Sequence, residues 1–444
     1  MLTLSGLVIG WKPAVALIPA VGSASVLLLG STAIRGAVVI FGGLAVLQSS
    51  AGLNATKLAY LAAVSISATA ALVRLGHLRY ASPSPRYHRL VFWSLLFGCY
   101  VLVTFCVSVA RGADLVSALR DATPYLLFAL VPIFAFDLSL SIPPRVLRTM
   151  LLFAGLLATV GFAVEWLGRR GLADLSLNRV AFPSFLMAGA LFSYAASASL
   201  QGPGRRSAWL LIAGAVLSLL LLTGTRTSLV FLLAPLAIVV GEKRNGSRRV
   251  TRLILFGLGT AVAVGLLLPG LMWLVGADVG RSMERLRSVT QVLANPMADP
   301  SFLERAAQTI VAKDVFLGSP LLGGGLGHSF AWTGLTGEEQ QAFNIDSPLS
   351  VPAKFGIIGL FLLSMIAWHL LAEVRRQVRR HAGLPHAALL GYLTLAGAWL
   401  LILSPFEDKG FSFGLTLLIA LALPAATSKS RSAANRPRAG EATV

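Results

Sequence analysis

Apolar runs long enough to cross a bilayer as helix, about 17 to 25 residues each, recur along this chain from near the N-terminus to residue 426. A transmembrane barrel would instead show short segments alternating apolar and polar residues. These runs do not alternate, so the expected fold is an all-α integral membrane protein, a bundle of about 12-13 transmembrane helices. Composition agrees: of 444 residues 56% are hydrophobic and only 12% charged, against roughly 25% charged in an ordinary soluble domain. Spans are expected near 14–33, 36–50, 57–73, 90–110, 122–138, 146–167, 180–199, 207–223, 228–240, 253–275, 348–372, 386–404 and 411–426. The first two are short and rich in Gly, Ser and Ala, so they read as two spans or as one span and an interfacial piece. No basic segment precedes the first apolar run, so no cleavable signal peptide is expected. Cys99 and Cys106 fall in one apolar segment, too close to form a framework, and read as packing residues.

Charge fixes the expected orientation. Lys and Arg concentrate in alternate connections: Arg74, Arg79, Arg86 and Arg89; Arg145 and Arg148; Arg205 and Arg206; Lys243, Arg244, Arg248, Arg249 and Arg252; Arg375, Arg376, Arg379 and Arg380; and the tail from Lys429 to Arg438. By the positive-inside rule these are cytoplasmic. The remaining connections carry fewer cations, among them Lys57, Arg111, Arg120, Arg169, Arg170, Arg179, Arg226 and Lys409, and are expected outside. The net charge of +19 therefore needs no nucleic acid, and membrane lipids are the expected partners on the basic side. The organisation follows: an N-terminal bundle 1–275, an extracytoplasmic loop 276–347, C-terminal helices 348–426 and a basic cytoplasmic tail 427–444.

So long a loop in a compact bundle is usually functional or disordered, and this one has the marks of order. Ser301 and Glu304 have capping-box spacing ahead of an amphipathic pattern in SFLERAAQTIVAKDV, residues 301–315. The helix is expected to stop at GSPLLGGGLG, residues 318–327. RSMERLRSVTQVL, residues 281–293, reads as an amphipathic surface helix whose Arg281, Arg285 and Arg287 form a basic face.

Four groups invite a chemical reading. Arg226 stands among Thr223, Thr225, Thr227 and Ser228 at the outer end of a tight hairpin, a setting that suits a phosphate or diphosphate; snorkelling to headgroups is the simpler alternative. Arg305 falls in the first turn of the loop helix, where a guanidinium and a helix N-terminus together suit an anion. The glycine run around Gly325 offers backbone N–H groups that a phosphate would accept from. Asp346 and His328 are the titratable groups nearest the re-entry to the membrane, and each is a candidate general base beside a capping or solvated role.

Taken in order, TGTRTSLV, LERAAQTI, PLLGGGLG and PLSVPAKFGIIGL, within residues 221–363, resemble the O-antigen ligase and O-antigen polymerase family. No metal site is indicated, since the six histidines are scattered and no carboxylate cluster appears in the outer loop; the resemblance implies a metal-independent glycosyltransferase with a GT-C-like multi-span fold and no cofactor. It would take a glycan from an undecaprenyl-diphosphate-linked donor to a glycan or lipid acceptor hydroxyl, at the outer face of a bacterial inner membrane. It implies that Arg226 and Arg305 grip the diphosphate, with Thr225 and Gly325 beside them. One departure stands out: the family usually carries His-Asn before the re-entering helix, where this chain has Asp346 and Ser347. That favours a polymerase or divergent member over a lipid A core ligase, with Asp346 preferred as base to His328, whose glycine turn looks mobile. The competing class is a multi-span secondary transporter or lipid flippase, disfavoured because mid-span charges are few and no half is duplicated.

Overall fold

The structure, a computed structural model, describes residues 26–47, 55–77, 85–169, 184–201, 206–222, 226–241, 246–275, 295, 300–334, 337–342, 347–381, 383–401 and 403–423. The chain runs through α1 (Thr32–Leu47), α2 (Ala55–His77), α3 (Pro85–Ala110), α4 (Leu115–Ser141), α5 (Pro144–Arg169), α6 (Phe185–Gln201) and α7 (Arg206–Leu222). A 3-10 segment (Arg226–Leu232) leads into α8 (Leu233–Gly241), followed by α9 (Gly246–Val275) and α10 (Pro300–Gly318). Strands β1 (Ser329–Gly334) and β2 (Gly337–Ala342) precede α11 (Ser350–His381), α12 (Leu384–Leu400) and α13 (Gly410–Ala422). Six of these helices are long and apolar enough to cross a membrane, and six shorter apolar helices accompany them. The body is an all-α, multi-pass membrane protein.

Two of the shorter helices, α6 and α13, are the most enclosed. Every residue of α13 is buried, whereas only 17% of the apolar window of α9 is. At about 1.5 Å per residue α13 is only about 20 Å long, less than the roughly 30 Å hydrocarbon core. It is tolerated because protein, not lipid, covers its ends. Aromatic rings knit this centre: Phe128 of α4 stacks on Phe411 of α13 at 5.7 Å, and Tyr125 meets Phe355 at 4.7 Å and Phe406 at 5.2 Å.

Each connection reverses the chain, so Leu47, Lys57, Asp114, Ser184, Ser350 and Lys409 gather at one end, called here the loop end, with Arg35, Arg74 and Asp137 toward the other. Local sequence explains several of these reversals. Asp114 accepts the Ser117 N–H at 2.8 Å as the N-cap of α4, and that bond holds its exposed carboxyl below the usual range.

Four expectations need correction. The first break is at Ser31, which caps α1, and the boundary expected between 33 and 36 lies inside α1. Cys99 and Cys106 are exposed on α3 instead of packed in the core. The loop helix opens on Pro300, suited to a first helical position, so Ser301 lies inside it and forms no capping box with Glu304. Arg305 consequently falls in the second turn of α10, beyond reach of the strongest part of the helix dipole. The loop also contains an antiparallel hairpin, paired from Ser329↔Ala342 to Gly334↔Gly337, that the sequence pattern did not announce. The helix expected over 281–293 and the tail 427–444 lie outside the described residues.

Candidate functional site at the loop end

The glycine turn is the hub of this end. Gly323, Gly325 and Gly327 take φ of 77°, 91° and 72°, the left-handed region that only glycine enters freely. Gly325 has a second reason to lack a side chain, since an added Cβ would lie 2.4 Å from Ser108 Oγ. The turn faces a break in α11, where Gly356 adopts φ 62° and ψ −162°. A broken helix exposes backbone groups that a membrane interior cannot satisfy, and here the turn satisfies them. Gly324 and Gly325 donate to the Ala353 and Lys354 carbonyls at 2.8 and 3.2 Å, and Ile357 and Ile358 donate to the Pro320 and Leu321 carbonyls at 2.8 and 3.3 Å. Tyr100 Oη donates to the Phe355 carbonyl at 2.8 Å.

The other N–H groups of the turn are also engaged. Gly323 donates to the Ser319 carbonyl at 2.8 Å, Leu326 to Ser108 Oγ at 2.8 Å and Gly327 to Asp121 Oδ2 at 3.0 Å. This corrects the reading of the run as a phosphate cradle: from Gly323 to Gly327 the N–H groups are used inside the protein, and Gly325 is a docking residue. It also corrects the impression of a mobile turn.

Beneath the turn lies a buried ion pair that the sequence reading missed. Lys354 Nζ donates to Asp121 Oδ1 at 2.8 Å, with the two side chains 1% and 2% exposed. Lys354 Nζ also lies 5.6 Å from the centre of the Tyr125 ring. With Lys354 on one oxygen and Gly327 on the other, Asp121 ties α4, α11 and the turn together. Removing either partner would leave an uncompensated charge, which is far costlier than the pair is favourable. His328 follows directly: its exposed ring packs edge-on against Phe330 at 5.1 Å. Partial burial lowers its imidazole pKa below 6.5, opposed by the charge of Asp121.

A second polar group surrounds the start of α13. Asp408 accepts from Ser184 Oγ at 2.5 Å, Leu186 N at 2.7 Å and Gly410 N at 2.9 Å, so its carboxylate caps α6 together with Ser184. Burial still pushes the Asp408 carboxyl above its ordinary range. Next to it, Lys409 Nζ donates to the Leu47 carbonyl at the end of α1. Burial and the charges of Lys57 and Arg120 lower the Lys409 ammonium to about 8, partly offset by Asp408. Lys57, at the start of α2, is only 5% exposed. Arg120 and Asp121 are consecutive in α4, so the cation cluster and the ion pair meet at that helix.

The residues singled out in the sequence fall as follows. Arg226 opens the 3-10 segment, which packs against α6, α7 and α12. Thr225 and Asp346 lie outside the described residues. Arg305 is partly buried, and its carbonyl accepts from Thr309 Oγ1 at 2.7 Å. Thr309 Oγ1 lies 3.1 Å from Ser347 Oγ, the buried residue that follows Asp346, and Ser347 Oγ accepts the Leu349 N–H at 3.1 Å. The structure thus brings the Arg305 turn against the entry to α11. Side chains on Ala312, Phe330, Trp332 and Ala353 form a small core joining α10, β1 and α11. Comparison of the sequence with protein-family models and with curated proteins gives no match.

Proposed function

We propose that this protein is a membrane glycosyltransferase of the O-antigen ligase and polymerase type. It passes a glycan from an undecaprenyl-diphosphate carrier to an acceptor hydroxyl, with its site on the outer side of the inner membrane. The observation that supports the reading is the packing of α10 on the entry to α11, where the turn of Arg305 meets Ser347 through Thr309. An anion-binding guanidinium and a carboxylate base are the two groups that departure of a diphosphate and attack by a hydroxyl call for. The carrier's own bond supplies the energy, so no nucleotide is needed. In this reading Arg226 and Arg305 stabilise the charge that develops on the leaving diphosphate, and Asp346 or His328 receives the hydroxyl proton.

A transporter is the second reading, favoured by the broken α11 and the buried Asp121–Lys354 pair, features typical of transport pathways. Their depth speaks against it. Lys354 and Asp121 lie four and six residues into their helices, about 6 and 9 Å at 1.5 Å per residue, short of the midplane at about 15 Å.

The test is reconstitution of the full chain in liposomes with an undecaprenyl-diphosphate-linked glycan. Extension or transfer of the glycan with release of the carrier diphosphate is expected. Arg226→Ala and Arg305→Ala should each abolish it while still inserting, and lysine should restore only part. Asp346→Asn is expected to be inactive and His328→Ala active. A base at His328 would reverse that result, with an acidic limb below 6.5. Substrate movement across the membrane with glycan length unchanged would replace the proposal by transport.

A further inference from the structure

Arg35 and Arg74 converge on one carboxylate, Asp137, at the end of the bundle away from the glycine turn, and they use it unequally. Arg35, in the first turn of α1, spends every donor it has. Its Nε and Nη2 grip Asp137 Oδ2 at 3.1 and 2.7 Å, Nη2 also reaches Thr32 Oγ1 at 2.9 Å, and Nη1 donates to the Leu28 and Leu29 carbonyls at 2.8 and 3.0 Å. Arg74, near the end of α2, commits Nη1 alone, to Thr32 Oγ1 at 2.8 Å and to Asp137 Oδ1 at 3.0 Å. Its Nε and Nη2 meet no acceptor among the described residues.

The side of a guanidinium formed by Nε and Nη2 is a two-donor edge that matches two oxygens of a carboxylate or phosphate. Arg35 lays this edge on Asp137, and Arg74 leaves the same edge open. Asp137 sets one negative charge against two guanidinium groups, so the trio keeps one positive charge. Arg74 is the member that reaches the surface: its side chain is 35% exposed, against 4% for Arg35 and 2% for Asp137. Its two bonds hold the fork in place, so a ligand meets donors that are already aimed. A snorkelling side chain has no such anchor.

Depth and surroundings narrow the anion. Arg74 lies about 28 Å along α2 from Ala55 at 1.5 Å per residue, close to the roughly 30 Å of the hydrocarbon core. That sets it at headgroup level in the leaflet opposite the loop end. Leu29, whose carbonyl faces Arg35, and Val73, beside Arg74, are each 55% exposed. An added Cβ at the neighbouring Gly30 would meet nothing within 4 Å. An anion that arrives between these apolar surfaces brings hydrocarbon with it.

We infer that Arg74, held by Asp137 and Thr32, is a binding site for the phosphodiester of an anionic phospholipid. Two phosphate oxygens accept from Nε and Nη2, and the acyl chains lie against Leu29 and Val73. The lipid supplies the charge that Asp137, shared with Arg35, does not. The site is remote from the loop end, so it stands independently of glycan transfer.

The experiment uses the full chain purified in detergent, with phosphatidylglycerol binding followed by native mass spectrometry and inorganic phosphate as competitor. Loss of the charged contact should weaken binding about tenfold, and Arg74→Gln is expected to do so. Arg74→Lys keeps the charge but presents no fork, and should show part of that loss. Arg145→Gln removes an exposed cation at the start of α5, at the same end of the bundle, and should leave binding unchanged. Phosphate without effect makes the ligand the phospholipid, whereas displacement of the lipid by millimolar phosphate makes it a soluble phosphate at the same site. If Arg74→Gln elutes as wild type and binds phosphatidylglycerol unchanged, or if Arg145→Gln weakens binding as much, the inference is overturned. Should Arg74→Gln fail to elute as wild type, Arg74→Lys decides, and unchanged binding by that variant overturns it as well.

Discussion

Two carboxylates, toward opposite ends of the bundle, are put to different uses. Toward one end Asp137 is shared: Arg35 donates to it from Nε at 3.1 Å and from Nη2 at 2.7 Å, and Arg74 Nη1 donates at 3.0 Å. Thr32 Oγ1 and the Leu28 and Leu29 carbonyls take other guanidinium donors. At the loop end, Asp408 sits beside Lys409 but gives its oxygens to Ser184 Oγ and to the Leu186 and Gly410 N–H groups, while Lys409 Nζ donates to the Leu47 carbonyl. A carboxylate shared between guanidinium groups fastens helices together. One spent on a helix terminus fastens backbone instead, and the neighbouring ammonium turns to a carbonyl.

The largest effect is expected at the shared carboxylate. Asp137→Ala leaves the buried Arg35 without its counter-charge and should cost about 3–5 kcal/mol, read as a lowered thermal unfolding midpoint in detergent. Lys354→Met should come next, because Asp121 retains the Gly327 N–H, and combining it with Asp121→Leu should restore much of the loss. If the double variant is less stable than the single one, the pair is more than mutual neutralisation. Lys409→Gln should act in the opposite sense. Its folded ammonium lies near 8, below the ordinary 10.5, so between those values the unfolded chain binds more protons. The protein should therefore gain stability as pH rises through that window, and Lys409→Gln should abolish the gain. A wild-type midpoint falling over the same range would mean that the Lys409 ammonium is compensated inside the fold. The smallest effect is reserved for Cys99→Ser, expected within about 0.5 kcal/mol because the side chain is exposed.

The helical membrane class was legible because long apolar runs without alternation leave a chain only the helix as a way to satisfy its backbone in a bilayer. Which face of each helix is buried was not, since lipid and a protein core are equally apolar; Cys99 and Cys106 were misread for that reason. GGGLG was legible as a turn, but its partners were not, because Asp121 and Lys354 are 233 positions apart. The hairpin escaped notice because GEEQQA has little intrinsic strand preference, and pairing with β1 imposes it. Lys57, Arg120 and Lys409 were visible as isolated cations. Only folding makes them neighbours.

The union of the glycine turn with α11 also governs when the protein is complete during synthesis. The turn emerges before Ala353, Lys354, Ile357 and Ile358, with which it bonds. It has no platform until α11 has entered the bilayer, and Lys409 reaches the Leu47 carbonyl only when one of the last helices follows. Translation and insertion therefore impose a schedule: a chain stalled before residue 350 carries its loop elements unfastened, and the loop end becomes competent only as the final helices settle.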